Sequence, residues 1–229
     1  MQVHLDGISD QSIRTQPWKD AVQDPRGKYY HFREHPELIR QVLEDFKPHE
    51  SHECVQRFYE MLEWINGPDS NFESSDCRLT GPLPNQQKEK FRWDIAAAGR
   101  LMVFFRHLPY NVTPVTAEWI TEREQGNAGL YEPNQFISWL GESSKDILSH
   151  LSRQTWWPII QLHYFPTFFQ ELPGLEPEKF GYQMVYEFHS WSDTEEQMFD
   201  FDLLVIFQSF FETLKELSAS IGNPRPLGN

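Results

Sequence analysis

Hydrophobic and polar positions alternate most cleanly at residues 182–189. Tyr182, Met184, Tyr186 and Phe188 interleave there with Gln183, Val185, Glu187 and His189. A period of two sends successive side chains to opposite faces of a β-strand, so the aromatic set faces a core and the second set faces away. Two further segments read as strands. Leu101–Phe105 is a continuous apolar run bounded by Gly99 and Pro109, and residues 156–165, with Pro158 near the start, read as another strand. Tyr29–Phe32 has the composition of a short edge strand.

Helical spacing dominates elsewhere. Leu38, Ile39, Val42, Leu43 and Phe46 recur on one face, and so do Val55, Phe58, Tyr59, Leu62 and Ile65. Pro36 suits a first turn, Lys47-Pro48 ends the first run, and Asn66-Gly67-Pro68 stops the second. Residues 35–66 are therefore expected to be two antiparallel helices. Thr113-Pro114 opens a third helix that Gly126-Asn127 closes, and Pro133 opens a fourth carrying Phe136, Ile137, Leu140, Ile147, Leu148 and Leu151. Ser192-Asp193-Thr194-Glu195 has the form of a capping box. It predicts a last helix reaching about Ser218, apolar all round at Leu203–Phe207 and hence buried between other elements.

The fold class expected is α+β: a small, mostly antiparallel sheet packed with several helices, the last one long. One domain spans residues 1–229. In it residues 1–33 are polar and turn-rich, 35–66 are the helical pair, 67–90 a polar linker, 91–218 the sheet and remaining helices, and 219–229 a frayed tail.

Composition narrows the functional classes. The chain has 229 residues with 34 acidic against 20 basic side chains, a formal charge of −14. Binding a nucleic-acid backbone requires clustered Lys and Arg, so nucleic acid is not the expected partner. Aromatic residues make up 15%, which a disordered acidic chain would lack. The first residues, Met1–Asp6, have neither a basic nor an apolar leader region, and no apolar run approaches the ~20 residues of a membrane span. With two cysteines, Cys54 and Cys77, and no CxxC, the chain fits a reducing cytoplasm.

No GxGxxG, P-loop or GxSxG motif is present. His49-Glu50-Ser51-His52 is one residue short of HExxH. With Cys54 nearby it is a candidate metal cluster, but zinc needs three or four ligands, and a solvated first helical turn explains these residues as well. No cofactor is expected. Strand alternation supplies the one catalytic candidate. Glu187 and His189 share a face of their strand, as do Gln161 and His163, while Arg100 and Arg106 belong to a third strand. If the strands pair, His163, Glu187 and His189 converge in the arrangement needed for general-base work. An ordinary solvated sheet face predicts the same residues, and no Ser or Cys pairs with them.

Charge is uneven along the chain. Residues 151–229 hold 11 acidic and 4 basic side chains, −7, which is half of the total. Asp193, Glu195 and Glu196 suit a helix N-terminus. The dipole does not account for Glu171, Glu176 and Glu178 in the 166–180 connection, for Asp200 and Asp202 in the last helix, or for Glu122 and Glu124. Those seven are the candidate contacts to a basic partner. Solubility is the competing explanation. Trp119, Tyr131, Trp139, Trp156, Trp157 and Trp191 are candidate aromatic anchors, although most large aromatics belong to cores.

An acidic, aromatic-rich, cytoplasmic α+β chain without catalytic motifs resembles, in type, the immunity proteins of bacterial polymorphic-toxin systems. The resemblance carries no motif and therefore no site residues. It implies a non-enzymatic inhibitor that binds one cognate basic toxin domain through an acidic surface. The expectation beneath it is that the surplus carboxylates of the last third gather on one face.

Overall fold

The computed structural model describes residues 1–8, 13–17, 30–113, 118, 121–122, 125, 132–151 and 158–221. Its centre is a sheet of six strands: β1 (Gln2–Ile8), β2 (Arg14–Gln16), β3 (Phe72–Pro84), β4 (Ile95–Phe105), β5 (Ile159–Phe169) and β6 (Phe180–Ser192). The order is β1-β5-β6-β4-β3, with β2 also on β5. β3 with β4, β4 with β6 and β5 with β6 are antiparallel. β1 and β2 run parallel to β5, pairing with residues 159–164 and 167–169, so they lie end to end along its outer edge. The helices are α1 (Ile39–Val42), α2 (Glu53–Asn66), α3 (Gln135–Leu151), α4 (Glu195–Gln197) and α5 (Leu203–Ile221). α4 runs into α5 through one π-helical turn, Met198–Asp202. The α+β expectation, with a mostly antiparallel sheet and a long final helix, holds.

All the long helices cover one face of the sheet. Tyr182, Met184, Tyr186 and Phe188 of β6 are fully buried, as the alternation predicts. They join Leu101, Val103 and Phe105 of β4 and Ile160, Leu162 and Tyr164 of β5. Against them lies α5, buried along Leu203, Ile206, Phe207, Phe210 and Leu214 because it is flanked by α2 and α3 as well as the sheet. Rings interlock edge to face: Phe188 meets Phe207 at 5.3 Å and 84°. The Tyr186 hydroxyl lies 2.7 Å from Ser144 Oγ of α3, which satisfies a buried polar group inside the apolar layer. Backbone closeness matters in this layer. A Cβ on Gly99 of β4 would come within 2.3 Å of the Phe188 ring and 2.4 Å of the Arg78 carbonyl oxygen.

Several expectations differ from the structure. Residues 67–90 are not a linker, because β3 occupies most of them as an edge strand. Its alternation is hidden by register shifts at Ser74–Asp76 and Thr80–Leu83 and by the polar residues on its outer side. Residues 2–8 and 14–16 are strands although they lie in the segment read as turns. Phe32 lies in a turn instead of an edge strand. The first of the two expected helices is one 3₁₀ turn, Pro36–Leu38, followed by the four residues of α1, because Leu43 leaves the helical region at ψ 71°. The cap of α4 is Thr194, whose Oγ1 accepts from Gln197 N at 3.1 Å; Ser192 still belongs to β6. At the start of α3, Asn134 Oδ1 accepts from Ile137 N at 2.9 Å, one residue beyond Pro133. Most of the helix expected at 113–127, Glu124, Trp119, Tyr131, Trp156, Trp157 and residues 222–229 lie outside the described residues.

Candidate functional site

The sheet face turned away from the helices brings the predicted His/Glu set together. Glu187 of β6 stands opposite Gln161 of β5 and Arg100 of β4, and His189 stands opposite Ile159 and Ala98. His163 Nε2 reaches Glu187 Oε2 at 3.5 Å, an ion-pair distance longer than a good hydrogen bond. The carboxylate beside it raises the imidazole pKa of His163, against the cost of its burial. The same contact lowers the pKa of Glu187. His189 moves the other way: burial lowers its pKa, and Glu187 only partly offsets this. Around the three are Gln161, which donates to Asp6 Oδ2 at 2.8 Å, and Arg100, whose Nη2 pairs with the fully buried Asp76 carboxylate at 2.6 Å. His189 also stacks on Trp191, which stacks on Phe91 at 4.3 Å.

This geometry pairs the charges of His163 and Glu187 without a direct hydrogen bond for proton transfer, since His163 Nε2 has no hydrogen-bond partner. The set also lies on an open sheet surface. It lines neither the cavity beside β3 nor the smaller one at the end of β4. Arg106 is not part of it. Its Nη2 lies 3.3, 2.6 and 3.2 Å from the carbonyl oxygens of Ile65, Gly67 and Phe72, so it serves as a C-terminal cap for α2.

The HExH residues do not converge as ligands. His49 and His52 both stack on Phe199, at 4.4 and 4.6 Å, and His52 Nδ1 contacts Asp200 Oδ1 at 3.0 Å. Cys54 is buried at the start of α2, and desolvation pushes its thiol pKa up to about 12. Among the described residues no three His, Cys, Asp or Glu side chains are arranged to hold a metal ion.

The candidate partner contacts fall into separate places. Asp202 is not a surface residue. It is buried and accepts hydrogen bonds from Ser190 Oγ at 3.1 Å and Ser192 Oγ at 2.5 Å, tying α5 to the end of β6. The π turn explains this, because it rotates Phe199 and Asp202 inward while leaving Phe201 51% exposed. Asp200 is exposed just beyond the same end of β6, near Glu195 and Glu196. Glu171, Glu176 and Glu178 are exposed before its beginning. Thirteen residues of extended strand separate the two groups, roughly 40 Å at 3.3 Å per residue. The candidate contact carboxylates of the last third therefore fall on two surfaces, not one. Glu176 and Glu178 also have a local cause: they lie in the first turn of a 3₁₀ helix, and Glu178 Oε2 accepts from Leu175 N at 3.3 Å. Glu122 is helical and exposed.

A charged cluster that sequence reading missed surrounds Glu73. This glutamate is 6% exposed on the open face, with His31 Nε2 at 3.8 Å and Arg33 Nη1 at 3.9 Å. Burial raises its carboxyl pKa against the pull of these cations. Nothing in the local sequence of residue 73 points to residues 31 and 33; the fold brings this turn segment against β3 from far away in sequence.

No protein-family model matches the chain, no curated protein is significantly similar to it, and no solved structure matches it.

Proposed function

We propose that the protein is a non-enzymatic inhibitor of the immunity type, which holds one basic protein partner in a 1:1 complex through the loop between β5 and β6. One observation carries this reading. Leu175 at the loop tip is 74% exposed and is flanked in sequence by Glu171, Glu176 and Glu178. No described cation lies within ion-pair distance of those three carboxylates. Elsewhere several cations are engaged: Arg40 with Glu63, Lys47 with Glu44, Arg57 with Glu60 and Glu53, Lys88 with Asp94, and Arg100 with Asp76. An exposed apolar side chain inside unpaired negative charge suits a partner that offers an apolar pocket rimmed by Lys and Arg. The net charge of −14 supplies long-range attraction to the same partner. The carboxylates beyond the far end of β6 are several Debye lengths away and contribute only to that attraction.

The reading is tested by capturing partners from the source cells with the tagged chain, identifying them by mass spectrometry, and measuring association with the purified partner. A basic protein whose activity is neutralised at 1:1 is expected, with an association rate that falls as salt rises. Charge reversal of Glu176 and Glu178 to lysine should slow association about tenfold or more at low salt. Recovery of no basic partner, or an association rate indifferent to salt, overturns the proposal. The enzymatic alternative rests on the meeting of His163, Glu187 and His189. It predicts that His163→Gln abolishes an activity while leaving capture intact.

A further inference from the structure

A cavity of about 310 Å³ opens beside the bulge of edge strand β3, between Ser75–Cys77 and the segment from Tyr30 to Phe46. It is independent of the loop argued above. Two aromatic residues with accessible surface line it, Tyr30 and Phe32, stacked at 6.1 Å and 9°, while Phe46, also in its wall, is fully buried against Phe58. Glu44 and Asp45 bring carboxylates to its wall, Asp76 borders it with a fully buried side chain, and its lining includes no Lys, Arg or His. Two of the three charges are met from outside the cavity, Asp76 by Arg100 and Glu44 by Lys47. Asp45 is half-buried and has no ion pair, so the wall keeps one uncompensated negative charge.

That combination selects among ligand classes. An anion is repelled by the carboxylates. A purely apolar ligand would strip water from Asp45 without replacing its interactions, which is costly. A bare divalent cation wants six or more oxygen ligands and gains nothing from aromatic walls. A cation that carries its charge on an alkyl framework satisfies both features, because its methyl or methylene groups lie against rings while its charge faces a carboxylate. The volume falls at the small end of ligand pockets. We propose that this cavity is a binding site for a small organic cation, an alkylammonium group. The group belongs either to a free amine or to a lysine side chain of a partner protein.

Titration calorimetry on the full chain tests this with choline, with its uncharged isostere 3,3-dimethyl-1-butanol, and with Nα-acetyl-lysine amide. One of the two ammonium probes should bind about tenfold more tightly than the neutral isostere, the difference expected of one cation over aromatic rings beside a carboxylate. Tighter binding of choline assigns the site to a free amine, and tighter binding of the lysine derivative to a side chain. Asp45→Asn, which breaks no hydrogen bond of the fold, should weaken the ammonium probe several-fold and leave the isostere unchanged. Tyr30→Leu should weaken it too. Equal binding of isostere and ammonium, saturable binding of neither probe, or indifference to Asp45→Asn overturns the proposal and leaves the partner-binding reading untouched.

Discussion

The two faces of the sheet are built from the same strands and held by different physics. Toward the helices, β6 presents Tyr182, Met184, Tyr186 and Phe188, all without exposed surface. Shape decides what stands at those positions, since each ring is enclosed by others. On the opposite face the same strand changes character along its length. Near its start, Gln183 donates to Thr167 Oγ1 at 3.0 Å and also meets Ser75, and Val185 packs with Met102 and Phe165. Near its end stand the half-exposed Glu187 and His189, where charge pairing replaces packing. Volume lost from the covered face should therefore cost far more than charge lost from the open one.

The largest expected effect is on the covered face. Phe188→Ala removes a ring that touches Phe207 and Phe210 and closes over Gly99. It should lower the unfolding free energy by about 3–5 kcal/mol, read from urea denaturation. A loss below ~1 kcal/mol would mean that the layer is loosely packed. Next comes the polar tie at the end of β6. Asp202→Ala leaves the buried hydroxyls of Ser190 and Ser192 without their acceptor. The expected loss is about 2–3 kcal/mol. Replacing both serines by alanine in the same chain should recover much of it, because the unsatisfied hydroxyls are then gone too. No recovery would place the cost in the π turn or in the lost attraction between Asp202 and the Met1 ammonium.

The asymmetry between faces also explains what the sequence disclosed. The covered face of β6 was legible because a period-2 aromatic run has one physical cause. So was α5, whose apolar positions admit only a buried helix. β3 was not legible: its bulges break the period at Ser75 and again before Leu83, and only Phe72, Cys77 and Leu79 mark its inner side. β1 gave a fainter signal, Val3 and Leu5, in a segment dominated by polar residues. Convergence of His163 with Glu187 followed from alternation once the strands were paired. The location of Asp202 did not, because a π turn inside a helix leaves no periodic trace and shifts every following side chain. The Glu73 cluster and the cavity at Tyr30 depend on chain segments far apart in sequence, which no local pattern encodes.

The smallest expected effect is the one that distinguishes an ion pair from a merely polar surface on the open face. The pKa of His163 is raised in the fold, so its contribution is complete below its unfolded value of about 6.5 and is lost as pH rises through the folded pKa. The pKa of Glu187 is lowered, so its contribution is present above about 4.3 and is lost as pH falls through the folded pKa. The pair is therefore most favourable between those limits. Glu187→Gln should destabilise most near pH 5.5, by less than ~1 kcal/mol because both groups are partly solvated. As the pH rises toward 8 and His163 gives up its proton, the difference should shrink or reverse, since Glu187 is a half-buried carboxylate that then loses its imidazolium partner. His189 supplies a control of opposite sign. Its lowered pKa means that protonation opposes folding, so His189→Gln should gain stability at pH 5.5 relative to pH 8. Denaturant titrations at the two pH values measure both. If Glu187→Gln costs the same at each, the contact at 3.5 Å is not coupling the two charges, and the open face is held by packing alone.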